Sequence, residues 1–159
     1  MAEVAAEHVI RSVLNLRGPN QGKPWYDEEV SACVRLGIIH YDGAWSALHD
    51  ISPDRCQSVE DLIERAPKPL LIHCQARADR SGHAAAIYLL DQGASPETAK
   101  SQLCLWYLHF PYLGSRSIAM DRSFELYCLA RSSAPLGRRD EVLRDTPSVC
   151  LLDGFLSVL

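Results

Sequence analysis

The chain has 159 residues, 47% of them hydrophobic, which suits one domain around a single core. Its formal net charge is -4, so no nucleic-acid partner is expected. It holds no run of about 18 apolar residues, so no membrane span is expected, and "MAEVAAEHVIRS" lacks the apolar stretch of a secretory signal.

In chain order, "AEVAAEHVIRSVLNLRG" reads as a helix feeding a short strand at Ser12–Leu16, closed by Gly18. "PNQGKP" is a loop by its Pro and Gly content. "WYDEEVSACVRLG" is a predicted helix, with Val30, Cys33 and Val34 at helical spacing, acids in the first turn and Gly37 as its C-terminal stop. "IIHYDGAWSA" is the next strand. Ser52-Pro53 pairs an N-cap with proline at the first helical position and opens a helix over Pro53–Arg65. "APKP" ends that helix, and "LLIH" is a continuous apolar run of the kind buried on both sheet faces. Helix is expected again from Ser81 to about Leu90, from Ser95-Pro96-Glu97 toward Phe110, and over Ile118–Ala130, with "FPYLGSRS" as a loop. Strands alternating with helices predict an α/β fold, a central mostly parallel sheet flanked by helices. The domain is placed at 1–131. The turn-rich, charged stretch after Arg131 makes 132–159 a C-terminal tail, and its apolar end "VCLLDGFLSVL" is expected to dock on the domain.

The six cysteines (Cys33, Cys56, Cys74, Cys104, Cys128, Cys150) form no CxxC pair. That argues for free thiols in a cytoplasm rather than for disulfides, and against a structural zinc site.

One of the six carries the chemistry. In "LLIHCQARADRSGHAAA", Cys74 follows the apolar strand, and five residues separate it from Arg80, Ser81 and Gly82. A loop that leaves a strand and enters a helix can turn several backbone N–H groups toward one point, where the helix N-terminus adds positive partial charge. A cysteine there is driven toward its thiolate. An arginine at the far end offers a planar fork of donors matched to phosphate oxygens. Together they suit attack on phosphorus through a covalent phosphocysteine, and Ser81 is placed to bond the sulfur as it leaves. Alone, Cys74 would read as a small buried hydrophobe and Arg80 as a surface residue; the joint spacing reverses that.

"HCQARADRSG" resembles the His-Cys-x5-Arg-Ser/Thr signature of the protein tyrosine phosphatase superfamily, and more closely the bacterial dual-specificity-like branch that carries "HCKAGADRTG". "VLNLRG", "WYDEEV", "LGI", "HFPYLGS" and "AMDRSFELY" stand where that branch has similar text, from Val13 to Tyr127. The resemblance implies a dual-specificity phosphatase-like fold with Cys74 as nucleophile and Arg80 as phosphate clamp. It implies a phosphate loop of Gln75, Ala76, Arg77, Ala78, Asp79 and Arg80, and no metal or other cofactor. Two departures stand out. The branch's opening strand is not seen ahead of "VLNLRG", so one sheet edge is expected to be missing or differently made. Arg77 replaces a glycine, a position where positive φ would cost a side chain about 1–3 kcal/mol.

A poor leaving group needs a proton, which many relatives take from an aspartate upstream of the cysteine. Asp42, Asp50 and Asp54 are the upstream candidates. Asp42 reads as a strand residue and Asp54 as a first-turn carboxylate, which leaves Asp50. Asp79, inside the phosphate loop as in myotubularin-like lipid phosphatases, is placed ahead of Asp50; its bland role would be to pin the loop. His73 is expected to support the thiolate rather than act as base, and His83 to pack or face solvent. Trp45, Trp106 and Tyr107 are read as core or rim. The expected function is a phosphomonoesterase acting on phosphotyrosine, phosphoserine/threonine or a phosphorylated small molecule. The alternative is a phosphate-binding pseudophosphatase impaired by Arg77. A rhodanese-like sulfur transferase is disfavoured by the flanking text.

Overall fold

The computed structural model describes residues 7–76, 78–133 and 157–158. Strand β1 (Ser12–Asn15) is buried along its whole length because parallel neighbours flank it on both sides. Strand β2 (Ile39–Asp42) pairs with it through Ser12↔Ile39 to Asn15↔Asp42. Strand β3 (Leu70–His73) pairs on the other side, through Ser12↔Leu70 to Asn15↔His73. The edge beyond β3 is made by β4 (Ser157–Val158), antiparallel, so the order is β2-β1-β3-β4. The terminal stretch of the chain thus supplies a sheet edge; 134–156 lie outside the described residues, as do 1–6.

Alternation along the strands sorts the core onto two faces. Val13 and Leu71 pack with Cys33 and Ile38 on one face, against helix α1 (Pro24–Leu36). Leu14, Leu70 and Ile72 face the larger core. That side holds α2 (Pro53–Arg65), α3 (Arg80–Asp91), the short α4 (Pro96–Lys100) and α5 (Ile118–Ser133). A buried Glu60 on α2 accepts hydrogen bonds from Tyr127 and Arg131 of α5, tying those two helices together. Gly18 turns the chain after β1 at φ +78°, and a Cβ there would stand 3.0 Å from that of Ala44, so the two loops at the strand ends press together only over a glycine.

The α/β architecture agrees with the sequence reading, and so do the bounds of α2. Other expectations change. The strand at Ser12 stops at Asn15, one residue short of Leu16. Val34 is 76% exposed; α1 is held instead by Tyr26, Ala32 and Cys33. Ser52 stands at the N-cap of α2 without a side-chain cap bond, leaving Pro53 to fix the first turn. The helix expected toward Phe110 ends at Lys100. Gln102 and Leu103 turn inward, Leu105, Trp106 and Leu108 are exposed, and no common apolar stripe remains to sustain a helix there. A single 3₁₀ turn, Leu105–Tyr107, follows, and Leu108 then reverses the chain at φ +62°. α5 runs on to Ser133, past both the Ala130 end read for it and the boundary drawn at 131.

Phe124, 1% exposed, sits where α5 meets the main core. Phe124→Ala is expected to lower stability by about 3–5 kcal/mol in urea unfolding, through lost burial and an unfilled cavity.

Candidate active site

The register places Asn15, Asp42 and His73 side by side at the carboxyl ends of the parallel strands, the end where open α/β sheets hold their ligands. Asn15 is fully buried and organises that end. Its Nδ2 donates to Asp42 Oδ1 at 2.9 Å and to the Gly18 carbonyl at 3.0 Å, while its Oδ1 accepts the Arg17 amide at 2.9 Å. Cys74 leaves β3 next, and α3 begins six residues later at Arg80.

Donors converge on the Cys74 sulfur. The fully buried Ser81 donates its hydroxyl proton to Sγ at 2.9 Å. Burial of the half-buried thiol pushes its pKa up. The Ser81 hydroxyl, the Ser81 and Ala76 amides and the Arg80 charge outweigh that, and hold the pKa below the ordinary thiol value. Arg80 reaches across to the Trp45 carbonyl through Nη1 at 3.3 Å. Its Nε is buried and has no partner among the described residues. An unmatched buried donor of this kind costs about 1–3 kcal/mol, more when charged. Gln75 and Ala76 are exposed, Ala78 is buried, and Arg77 lies outside the described residues.

Asp79 stands at the N-cap of α3, where a carboxylate ordinarily accepts a helix amide. It makes no such bond. Instead its Oδ1 lies 2.9 Å from Nδ1 of His109, whose Nε2 lies 2.8 Å from Asp121 Oδ2 on α5. His109 is fully buried between two carboxylates. Burial pushes its pKa down; the hydrogen bonds and charges of Asp121 and Asp79 outweigh that and raise it to about 9. The ring is therefore an imidazolium at neutral pH, donating to both acids. Sequence reasoning missed His109 and Asp121. The available signal was a polar ring set between Leu108 and Phe110 in an apolar stretch, followed by an acid on the buried side of the next helix.

The other candidates are distributed as follows. Asp50 is on the surface, with its Oδ1 accepting from Arg122 Nε at 3.1 Å and Nη2 at 2.8 Å. Asp42, at the end of β2, also accepts the Tyr26 hydroxyl at 2.6 Å, and Asp54 sits in the first turn of α2. His73 Nε2 lies 3.0 Å from Glu29 Oε1 on α1, and its Nδ1 is 3.4 Å from the Cys74 carbonyl oxygen. Glu29 also meets His40 Nε2 at 2.9 Å. Burial raises the Glu29 pKa, but the two imidazoles more than reverse this and lower it to about 2, so a carboxylate anchors the strand end behind Cys74. Glu29 was not singled out in the sequence either. His83 is a fully buried packing residue, edge-on to Trp45 with ring centroids 5.2 Å apart. Trp45 is core, whereas Trp106 is 94% exposed. Among the described residues no cluster of three His, Cys, Asp or Glu could hold a metal ion, and no helix is long and apolar enough to cross a membrane.

The fold is shared with known structures. Tk-PTP in a glycine-to-alanine mutant form superposes with a TM-score of 0.56 at 20% identity, covering 83% of this chain and 85% of that one. Tk-PTP in its active form gives 0.51 at 19%, over 77% of this chain and 82% of that one. Human DUSP28 gives 0.46 at 14%, over 81% and 86%. No family model matches the chain, and no curated protein matches it in sequence.

Because the Ser81 hydroxyl supplies much of the charge stabilisation at sulfur, Ser81→Ala is expected to raise the pH at which Cys74 is half-alkylated by iodoacetamide. An unchanged alkylation profile would show that the hydroxyl does not stabilise the thiolate.

Proposed function

We propose that this chain is a cysteine-dependent phosphomonoesterase, with the phosphatase fold it shares with Tk-PTP put to the same kind of use. The observation that carries the reading is the Nε of Arg80, a buried cationic donor without a partner among the described residues, at the start of α3 and close enough to Cys74 to lower its pKa. A phosphate dianion resolves it: the guanidinium fork takes two oxygens, and the loop amides with the α3 N-terminus take the rest.

In the first half-reaction the Cys74 thiolate attacks phosphorus in line with the ester oxygen. The S–P bond forms as the P–O bond breaks, and Asp79 delivers a proton to the departing oxygen. In the second, water attacks the phosphocysteine, Asp79 takes the proton of that water, and sulfur leaves as a thiolate received by the Ser81 hydroxyl. Asp79 is preferred to Asp50 as proton carrier because it lies in the loop itself, whereas Asp50 is bound to Arg122 on the surface. The substrates are phosphotyrosine, phosphoserine/threonine or a phosphorylated small molecule. The working place is a reducing compartment such as a cytoplasm, where Cys74 stays a free thiol. A second reading, phosphate binding without turnover, rests on Arg77 in the position where the resembling branch has glycine.

With 4-nitrophenyl phosphate, Cys74→Ser is expected to abolish turnover while retaining phosphate binding, and Arg80→Ala is expected to lose both. Equal turnover by wild type and Cys74→Ser would sink the assignment. Phosphate binding by an inactive wild type, with hydrolysis restored by Arg77→Gly, would establish the second reading instead.

A further inference from the structure

The carboxylate at the end of the loop is held from behind. Asp79 gives up the helix cap that its position offers and turns to His109. His109 is brought there at a cost: Leu108, just before it, is a bulky residue at φ +62°, a conformation costing about 1–3 kcal/mol. Its neighbours on the loop stay outside, with Leu108 63% and Phe110 44% exposed, so His109 is the inward anchor of this stretch. Behind it, Asp121 is also buried and fixes Nε2. The ring thus has both nitrogens engaged in a line of three groups that ends in the phosphate loop.

We propose that His109, braced by Asp121, is a positioning residue that orients Asp79 and stores the proton that Asp79 gives to the leaving oxygen. The inference rests on the phosphatase reading above. In the resting site the array is carboxylate, imidazolium, carboxylate. As the P–O bond breaks, the Nδ1 proton crosses to Asp79 Oδ1, and the neutral carboxyl turns its O–H to the leaving oxygen. Asp79 is again a carboxylate, and His109 is neutral, still donating Nε2–H to Asp121. When water attacks the phosphocysteine, its proton passes to Asp79 and back to Nδ1, which restores the array. No proton is gained or lost by the enzyme over the cycle.

The groups facing the ring fit this role. Asp79 and Asp121 favour the imidazolium. His83 on α3, the other ionisable ring nearby, is driven down to about 4 by burial and stays neutral. Lys100 on α4, which lies in the field of Asp121, is engaged by Glu125 at 2.6 Å. With the His109 pKa raised, the stored proton is fully present below the ordinary histidine value and is lost as pH rises through about 9.

The test compares phenyl phosphate, a poor leaving group, with 4-nitrophenyl phosphate, a good one, as kcat/KM against pH, for wild type, Asp121→Asn, His109→Gln and Asp79→Asn. A wild-type alkaline limb near pH 9 with phenyl phosphate is expected to move toward the ordinary histidine range in Asp121→Asn. His109→Gln and Asp79→Asn are each expected to lose about 100-fold on phenyl phosphate, at least tenfold more than on 4-nitrophenyl phosphate. Their double variant should lose little beyond either, because the two act as one unit. Equal losses on both substrates, or an alkaline limb that stays put in Asp121→Asn, overturn the inference and leave the phosphatase reading standing. If Asp121→Asn does not fold, the leaving-group comparison in His109→Gln decides alone. A wild type that hydrolyses neither ester, or a Cys74→Ser variant that hydrolyses both, overturns the underlying reading and this inference with it.

Discussion

A half-buried cysteine kept below its ordinary pKa is the constraint from which the rest of this site follows. Burial alone would push the Cys74 pKa up. What reverses that is a set of donors that cannot be brought together by a loop on its own: the Ser81 hydroxyl at 2.9 Å, the Ser81 and Ala76 amides, and the Arg80 charge. Ser81 and Arg80 belong to the first turn of α3, so the start of that helix must sit directly over the end of β3. Ala84, Ala85 and Ala86, all nearly inaccessible, let α3 pack closely on its neighbours.

The sheet then has to hold the other side still. β1 does this from the middle, paired with both neighbours, and its last residue Asn15 links Gly18, Arg17 and Asp42 at the strand ends. Glu29 reaches over from α1 to the ring of His73, directly before Cys74. These polar groups are buried or half-buried and each has partners, as a rigid ligand site requires. Arg80 Nε is the exception among the described residues.

Much of this was legible in the sequence. The strand–loop–helix order around Cys74 could be read from one apolar run, one helix start and the five-residue spacing. Pro53 and Gly37 marked their helix ends because their backbone restrictions act locally. Local signals fail in the stretch from Ser101 to Ser117. There the chain has no periodic face of its own: Leu103 packs into the main core, and His109 is held between Asp79 and Asp121. An aspartate at a helix N-cap likewise reads as a cap; that Asp79 turns away from the amides depends on a ring thirty residues later. The β4 pairing is of the same kind, since nothing in "FLSVL" names its partner strand. Asp50 read as the upstream acid candidate, and its salt bridge to Arg122, 72 residues on, has no local signature either.

The central claim is that Cys74 carries the phosphoryl group between substrate and water. Rapid mixing of the full chain with an aryl phosphate, acid quenching within the first turnover, and mass analysis of the Cys74 peptide measure it directly. One phosphoryl group on Cys74, formed as one equivalent of phenol is released and absent from Cys74→Ser, is the expected result. Turnover that proceeds with no phosphate on Cys74 at any time would contradict it.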